Sequence, residues 1–342
     1  MLNPFLLRAA LVLLVAASSA ATAEKLEPPT ITLGEPTTTI VVADYKEAGP
    51  YDRIVFSKVR VLQSKAVVPD LIDVALPDLR GPLVAGKRYI LAYSPYAENR
   101  FEQIVVNPRG ASFLSSPGIE PGLWEDSPEN QALVMWRIDG EESDHQRERE
   151  SEKDGEAARE AMPRLLKMLD SGDRQQREFG AAEIALRPAL VAGLSGSQQR
   201  ALQKFVANDV GPDRARTSLL QAAVSMPAKS GSVSGWDAVA ADLLAKTPVQ
   251  TLDVDRRSSL ILAALTYPPT RLRHIDGKLQ SRWLRSNDAG LVDAAAMALQ
   301  DISAEVAKAA FASALSEKDL PPENRSAVEG FNQRLGLAES GR

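Results

Sequence analysis

The stretch LLKMLDSGDRQQREFGAAEIAL, Leu165 to Leu186, holds one helix ending, a short turn and a second helix beginning. Leu165, Leu166 and Leu169 mark the apolar face of the first helix. Asp173 follows a Ser-Gly turn, where its side chain can cap the second helix by accepting from a free backbone N–H. Phe179, Ala182 and Leu186 then recur at i, i+3 and i+7, which is one helix face. An acid in such a turn reads as a cap rather than a catalytic group. Whether the hairpin stands alone or is one copy of several decides the fold of everything after it.

Three more segments follow the same order of helix end, turn, Asp and helix. LQKFVANDVGPDRARTSLLQAAVSM places Leu202, Phe205 and Val206 before Asp213, then Leu219, Ala222 and Met226. ADLLAKTPVQTLDVDRRSSLILAALTY places Leu243 and Leu244 before Asp255, then Ile261, Ala264 and Leu265. LQSRWLRSNDAGLVDAAAMALQ places Leu279, Trp283 and Leu284 before Asp288, then Leu291, Ala295 and Ala298. The four Asp residues are spaced 40, 42 and 33 residues apart, and Arg174, Arg214 and Arg256 follow three of them. ISAEVAKAAFASAL and NRSAVEGFNQRLGL read as closing helices, the latter ending at Gly336.

The Asp-turn-Arg-Ala-Ala progression at Asp173, Arg177, Ala181 and Ala182, and NDAGLVDAAAMAL around Asp288, resemble HEAT/armadillo-type helical repeats, whose period is about 40–47 residues. The resemblance implies an α-solenoid of about four helical pairs over residues 161–340. Stacked pairs share a continuous core and present an extended binding surface.

Residues 24–139 have a different grammar. TTTIVVA, YDRIVFSKVRVLQ, LIDVALP, RYILAYSPY, FEQIVV and QALVMWRI (Gln131–Ile138) read as six strands, bounded by Gly49-Pro50, Pro69, Gly81-Pro82, Pro108 and Pro117-Gly118. Six short strands in this length predict a small β-barrel or sandwich. IVFSKVRVLQ followed by GPLVAGKRYILAY resembles the exported OB-like barrels of the tissue-inhibitor and netrin-module type, although those relatives usually carry disulfides and this chain has no cysteine. Between the halves, residues 140–160 are dense in mixed charge and read as a solvated linker or an exposed helical lead-in. The chain is thus expected to be multidomain, β and then α.

The N-terminus MLNPFLLRAALVLLVAASSAATAEK has the form of a signal peptide over residues 1–23. Arg8 is the n-region, Ala9 to Ala17 the apolar h-region, and Ala21-Thr22-Ala23 the cleavage site, with cleavage after Ala23. The absence of cysteine argues for a bacterial periplasm over a eukaryotic secretory route and excludes thiol nucleophiles and zinc–thiolate sites. No later run is long and apolar enough to span a bilayer, so no integral membrane segment is expected after cleavage. With 40 basic and 45 acidic residues and no basic block, nucleic acid is not an expected partner.

Chemistry is sparse. GPLVAGKRY, Gly81 to Tyr89, satisfies G-x-x-x-x-G-K but has Arg88 where a hydroxyl should hold Mg²⁺, and a strand follows where a helix is needed. The two histidines, His145 in the charged segment and His274 in RLRHIDGK, have no partner at metal-ligand spacing. Glu125, Asp126 and Glu129 read as a solvated loop. Trp124, Trp136, Trp236 and Trp283 read as core or junction residues. No catalytic, cofactor-binding or metal residue is expected. The expected function is that of an exported, periplasmic, non-enzymatic interaction or scaffold protein whose helical-repeat surface binds a protein partner. The alternative is a cell-envelope hydrolase with a site at the domain junction, where clefts often hold ligands.

Overall fold

A computed structural model describes residues 27–49, 53–75, 83–95, 112–114, 122–138, 152–187, 194–208, 214–224, 235–249, 257–268, 271–272, 274 and 276–340. The signal-peptide expectation, the FEQIVV strand, Gly81-Pro82, His145, Asp213 and Asp255 lie outside them. The chain falls into two compact units, the first running to Arg137 and the second from Arg147 to Arg342. Among the described residues no helix is long and apolar enough to cross a membrane.

The first unit opens with a short helix, α1 (Pro29–Gly34), whose Pro29 sits at a first-turn position where no N–H is required. β1 (Thr39–Gly49) pairs antiparallel with both β2 (Arg53–Gln63) and β4 (Arg88–Pro95). β3 (Leu71–Ala75) is antiparallel to β2, and β5 (Ser112–Leu114) joins β3 in parallel and β4 antiparallel. β6 (Leu123–Glu125) extends from β4. The expected barrel or sandwich is met at the level of this mostly antiparallel sheet.

Register shifts at Ile40/Val41, Val42/Ala43 and Tyr45/Glu47 bend β1, as bulges do. Ile40, Val41, Val42 and Ala43 are buried in succession, so both faces of β1 are covered and its sequence reads as an apolar run instead of an alternation. Val41, Ala43, Phe56, Ile72, Val74, Tyr89 and Leu91 form one core, with Phe56 edge-on to Tyr45 and Tyr89 at centroid distances of 6.0 and 6.3 Å.

Gln131–Ile138 is not the expected strand. The chain there forms α2 (Pro128–Val134): Ser127 Oγ accepts from Asn130 N at 3.0 Å, and Pro128 occupies the first turn. Ser-Pro-Glu is a helix-start signal that outweighs the β-favouring Val-Met-Trp which follows. Arg137 then ties the unit together. Its guanidinium donates to Val134 O, Trp136 O, Leu33 O and Gln63 Oε1, all at 2.7–2.8 Å.

The second unit is helical. α3 (Glu152–Leu169) begins in the charged segment, so residues 152–160 are the lead-in helix. α4 (Arg174–Ala185), α5 (Gly196–Ala207), α6 (Arg214–Val224), α7 (Gly235–Lys246) and α8 (Arg257–Leu265) follow. After them come α9 (Lys278–Arg282) with a 3₁₀ turn (Trp283–Arg285), α10 (Ala289–Ile302), α11 (Ala304–Leu315) and α12 (Pro322–Ser340). α12 runs through Gly336 to Ser340, so the expected stop at Gly336 is not used.

Consecutive helices pair: α3 on α4, α5 on α6, α7 on α8, α9 on α10, and α11 on α12. The first helices of the pairs also touch in order, α3 to α5 to α7 to α9 to α11. The second helices do the same, α4 to α6 to α8 to α10 to α12. The helical region expected after the β half is present, with the closing helices making a fifth pair.

Close approach requires small residues. A Cβ on Gly180 of α4 would lie 2.9 Å from Met168 Cβ and 3.2 Å from Leu165 O of α3. The expected caps within the described residues are in place. Asp173 Oδ1 accepts from Gln175 N at 2.8 Å, and Asp288 Oδ1 from Gly290 N at 2.8 Å.

Arginines reach several helix C-termini and the turns that follow them. Arg177 donates to Ser171 O at 2.7 Å, and Arg216 gives Nε and Nη2 to Val206 O at 2.8 and 2.6 Å. Arg282 reaches Leu244 O and Ala245 O at 3.0 and 2.6 Å. Arg325 reaches Leu315 O and Glu317 O at 2.8 and 2.6 Å. Because Arg216 is itself buried, Arg216→Ala should lower stability by about 2 kcal/mol, the loss of a charge-assisted bond to a buried carbonyl. Urea unfolding midpoints measure this, and an unchanged midpoint would refute the capping role.

Candidate functional site

The residues singled out in the sequence do not converge. Lys87 lies in the turn before β4, with Gly86 at φ +77°, a left-handed conformation suited to glycine, and its Nζ pairs with Glu125 Oε1 at 2.7 Å. That hydrogen bond raises the Lys87 pKa. Arg88 enters the strand and donates from Nε to Asp44 Oδ1 at 3.0 Å. The string is therefore a polar turn whose cations are held by acids of neighbouring strands.

Asp126 Oδ1 accepts from Gln131 Nε2 at 2.5 Å, and Glu129 sits in the first turn of α2. His274 is exposed in the turn before α9. The neighbouring Asp276 is engaged by Lys278, through its backbone N–H at 3.1 Å and its Nζ at 2.9 Å, and these bonds lower its pKa. Asp276 is thus held as an ion by lysine instead of orienting an imidazole, which a triad would require. Burial pushes the Tyr93 hydroxyl up to about 12, out of reach as a base near neutrality. Among the described residues no group of His, Cys, Asp and Glu is gathered at metal-binding separations.

The tryptophans divide. Trp124, Trp236 and Trp283 are buried, whereas Trp136 is half-buried. Trp236 neighbours the buried Asp237, whose Oδ1 accepts from Tyr267 Oη at 2.5 Å.

The helical unit does hold a concavity of about 630 Å³, lined by Lys246, Pro248, Val249, Ser281, Arg282 and Arg285. It forms where α7 ends and α9 passes into the 3₁₀ turn. Gly277 makes the entry to α9 possible: it caps the helix at φ +76°, and a Cβ there would meet Leu299 and Val306 at 2.7 Å. Arg282 caps α7 as described. Arg285 forms a two-point ion pair with Glu317 and donates from Nη1 to Ser281 O at 2.8 Å. That pairing lowers the Glu317 pKa. Lys246 Nζ pairs with Asp242 Oδ1 at 2.8 Å, the lysine exposed and the aspartate half-buried. The arrangement offers fixed N–H donors and positive charge. Sequence reasoning missed it because Lys246 and Arg282–Arg285 belong to different helical pairs.

Beside the concavity but not lining it, Gln280 is fully buried, and among the described residues neither Oε1 nor Nε2 has a hydrogen-bond partner. The indole N–H groups of Trp236 and Trp283 share that condition.

Comparison with known family models, curated proteins and solved structures finds no match to this chain.

Substitutions at two positions test this description. Asp173→Ala should cost about 1 kcal/mol while Asp173→Asn, which keeps the accepting oxygen, should cost only a few tenths. Equal losses in thermal melts would remove the cap. Gln280→Met should raise stability by about 1–2 kcal/mol by removing an unsatisfied amide at nearly constant volume. A fall in the urea midpoint instead would show that the amide is satisfied in solution by a bound water.

Proposed function

We propose that the protein is an exported, periplasmic, non-enzymatic interaction protein, in which an OB-type β-barrel is followed by a HEAT-like α-solenoid whose surface binds a protein partner. The observation that carries this reading is the stack of helical pairs. Each pair touches the next through both its first and its second helix. A chain built this way grows along one direction and offers surface in proportion to its length, which suits recognition of an extended partner. The second-helix side includes Leu262 on α8 and Met297 on α10, exposed large apolar residues on adjacent helices.

The barrel reading is supported by the pairing order. β1 pairs with β2, β2 with β3, β3 with β5, β5 with β4, and β4 returns to β1. A return pairing of this kind is what a barrel requires. Export rests on Arg8, the apolar run Ala9–Ala17 and Ala21-Thr22-Ala23.

The test is site-specific photo-crosslinking in the cells that make the protein, with the photoreactive residue at Leu262, Met297 or Lys204, and at Val67 of the β unit as reference. Light-dependent adducts of discrete mass are expected from the helical positions and not from Val67. Helical positions that yield nothing above the reference would overturn the reading.

A further inference from the structure

We propose that the concavity at the end of α7 holds an acidic segment of the partner, a short run of Asp or Glu side chains. This rests on the protein-binding reading above and names the chemistry it would recognise.

The charge pattern points that way. The whole chain carries 45 acids against 40 bases. Yet among the described residues lining this concavity Lys246, Arg282 and Arg285 are cations and none is a carboxylate. A chain with an acidic balance repels acidic polypeptides in general, so a local cationic recess is where one can settle.

The cations are also prepared for binding. Arg282 is held by Leu244 O and Ala245 O, and Arg285 by Glu317 and Ser281 O, so their guanidinium groups need no reordering when a ligand arrives. The carbonyls at the C-terminus of α7 would otherwise disfavour an anion, and Arg282 neutralises two of them. Lys246 is the adaptable member. Its side chain is 75% exposed, and its partner Asp242 is 43% exposed. An exposed ion pair of this kind is weak, so an incoming carboxylate can take the place of Asp242 on Nζ.

The lining also selects polypeptide over a small inorganic anion. Pro248 and the nearly buried Val249 give an apolar wall on which the methylenes of glutamate can pack. The volume is of the order that accommodates several side chains.

The test uses the full chain and a fluorescein-labelled octaglutamate peptide, read by fluorescence anisotropy, with a Ser-Gly peptide of equal length as control. Saturable binding of the acidic peptide alone is expected, weakening between about 25 and 150 mM salt as screening grows. Lys246→Glu should weaken it by about fivefold or more and Lys246→Gln by less, both without change in melting temperature. Asp242→Asn, which removes the competing carboxylate, should tighten it.

No saturable binding, an affinity indifferent to Lys246→Glu, or displacement of the peptide by about 10 mM inorganic phosphate would each overturn the proposal. If crosslinked adducts persist at Leu262 or Met297 while the peptide fails to bind, the protein-binding reading stands and this site falls. If peptide binding behaves as expected while no adduct forms, the recess binds acidic polypeptide but the protein-binding reading falls, and with it the recess's assignment to that partner.

Discussion

A helix that ends inside a packed stack leaves its last carbonyl oxygens with no amide to accept from, and burying them without a donor costs as much as a broken hydrogen bond. In this protein arginines meet that demand at the ends of α5, α7 and α11, and in the turn just after α3. Arg177, Arg216 and Arg325 reach back from the second helix of a pair, whereas Arg282 reaches from the next pair to the end of α7. The guanidinium fork suits the task because it can satisfy two acceptors, or one acceptor twice, from a single rigid plane. The bond also fixes how far one helix slides along another, since a shift of one turn would leave both carbonyl and cation unpaired. Apolar packing alone, much of it alanine on α10, would permit such slides.

Burial makes a similar demand just past the end of α4, where Arg187 joins the buried Glu183 through Nε and Nη2 at 3.1 and 2.8 Å. Neither residue could be buried singly without a severe desolvation cost. In the β unit the corresponding organiser is Arg137, which gathers the ends of α1, β2 and α2 through four acceptors. Around it β1 serves as the shared strand, and its bulges turn it enough to pair on both sides. A cysteine-free chain has no crosslink to hold such arrangements, so polar satisfaction and core packing must do it.

These features differ in how plainly the amino-acid order announces them. The helical pairs were readable because Asp173 and Asp288 are local signals and the apolar spacing around them is periodic. β1 to β4 were readable from β-branched runs between turns. α2 was misjudged because Val134, Met135 and Trp136 favour a strand locally, while the decisive evidence lay upstream in Ser127-Pro128-Glu129. The start of α3 stays open between linker and helical lead-in because residues 152–160 carry almost no apolar stripe, and a helix without one produces no period to detect. The concavity was invisible for a different reason. Its cations lie some 35–40 residues apart in sequence and meet only through the contact of α7 with α9. No motif encodes a site assembled by stacking.

α12 packs on α10 and α11 and presents Glu323, Ser326, Glu329, Gln333 and Arg334 as exposed residues. Its one large aromatic, Phe331, packs near Phe311 at a centroid distance of 6.3 Å, and the Arg334 guanidinium lies 4.2 Å above its ring. A cation over an aromatic face replaces an apolar neighbour with a charged one that water tolerates. The contrast with α8 and α10 is therefore informative. There Leu262 and Met297 stay exposed with no such cover, although the same chain covers an aromatic with arginine one pair later. α12 thus meets water with a largely polar face, whereas α8 and α10 each leave a large apolar side chain exposed.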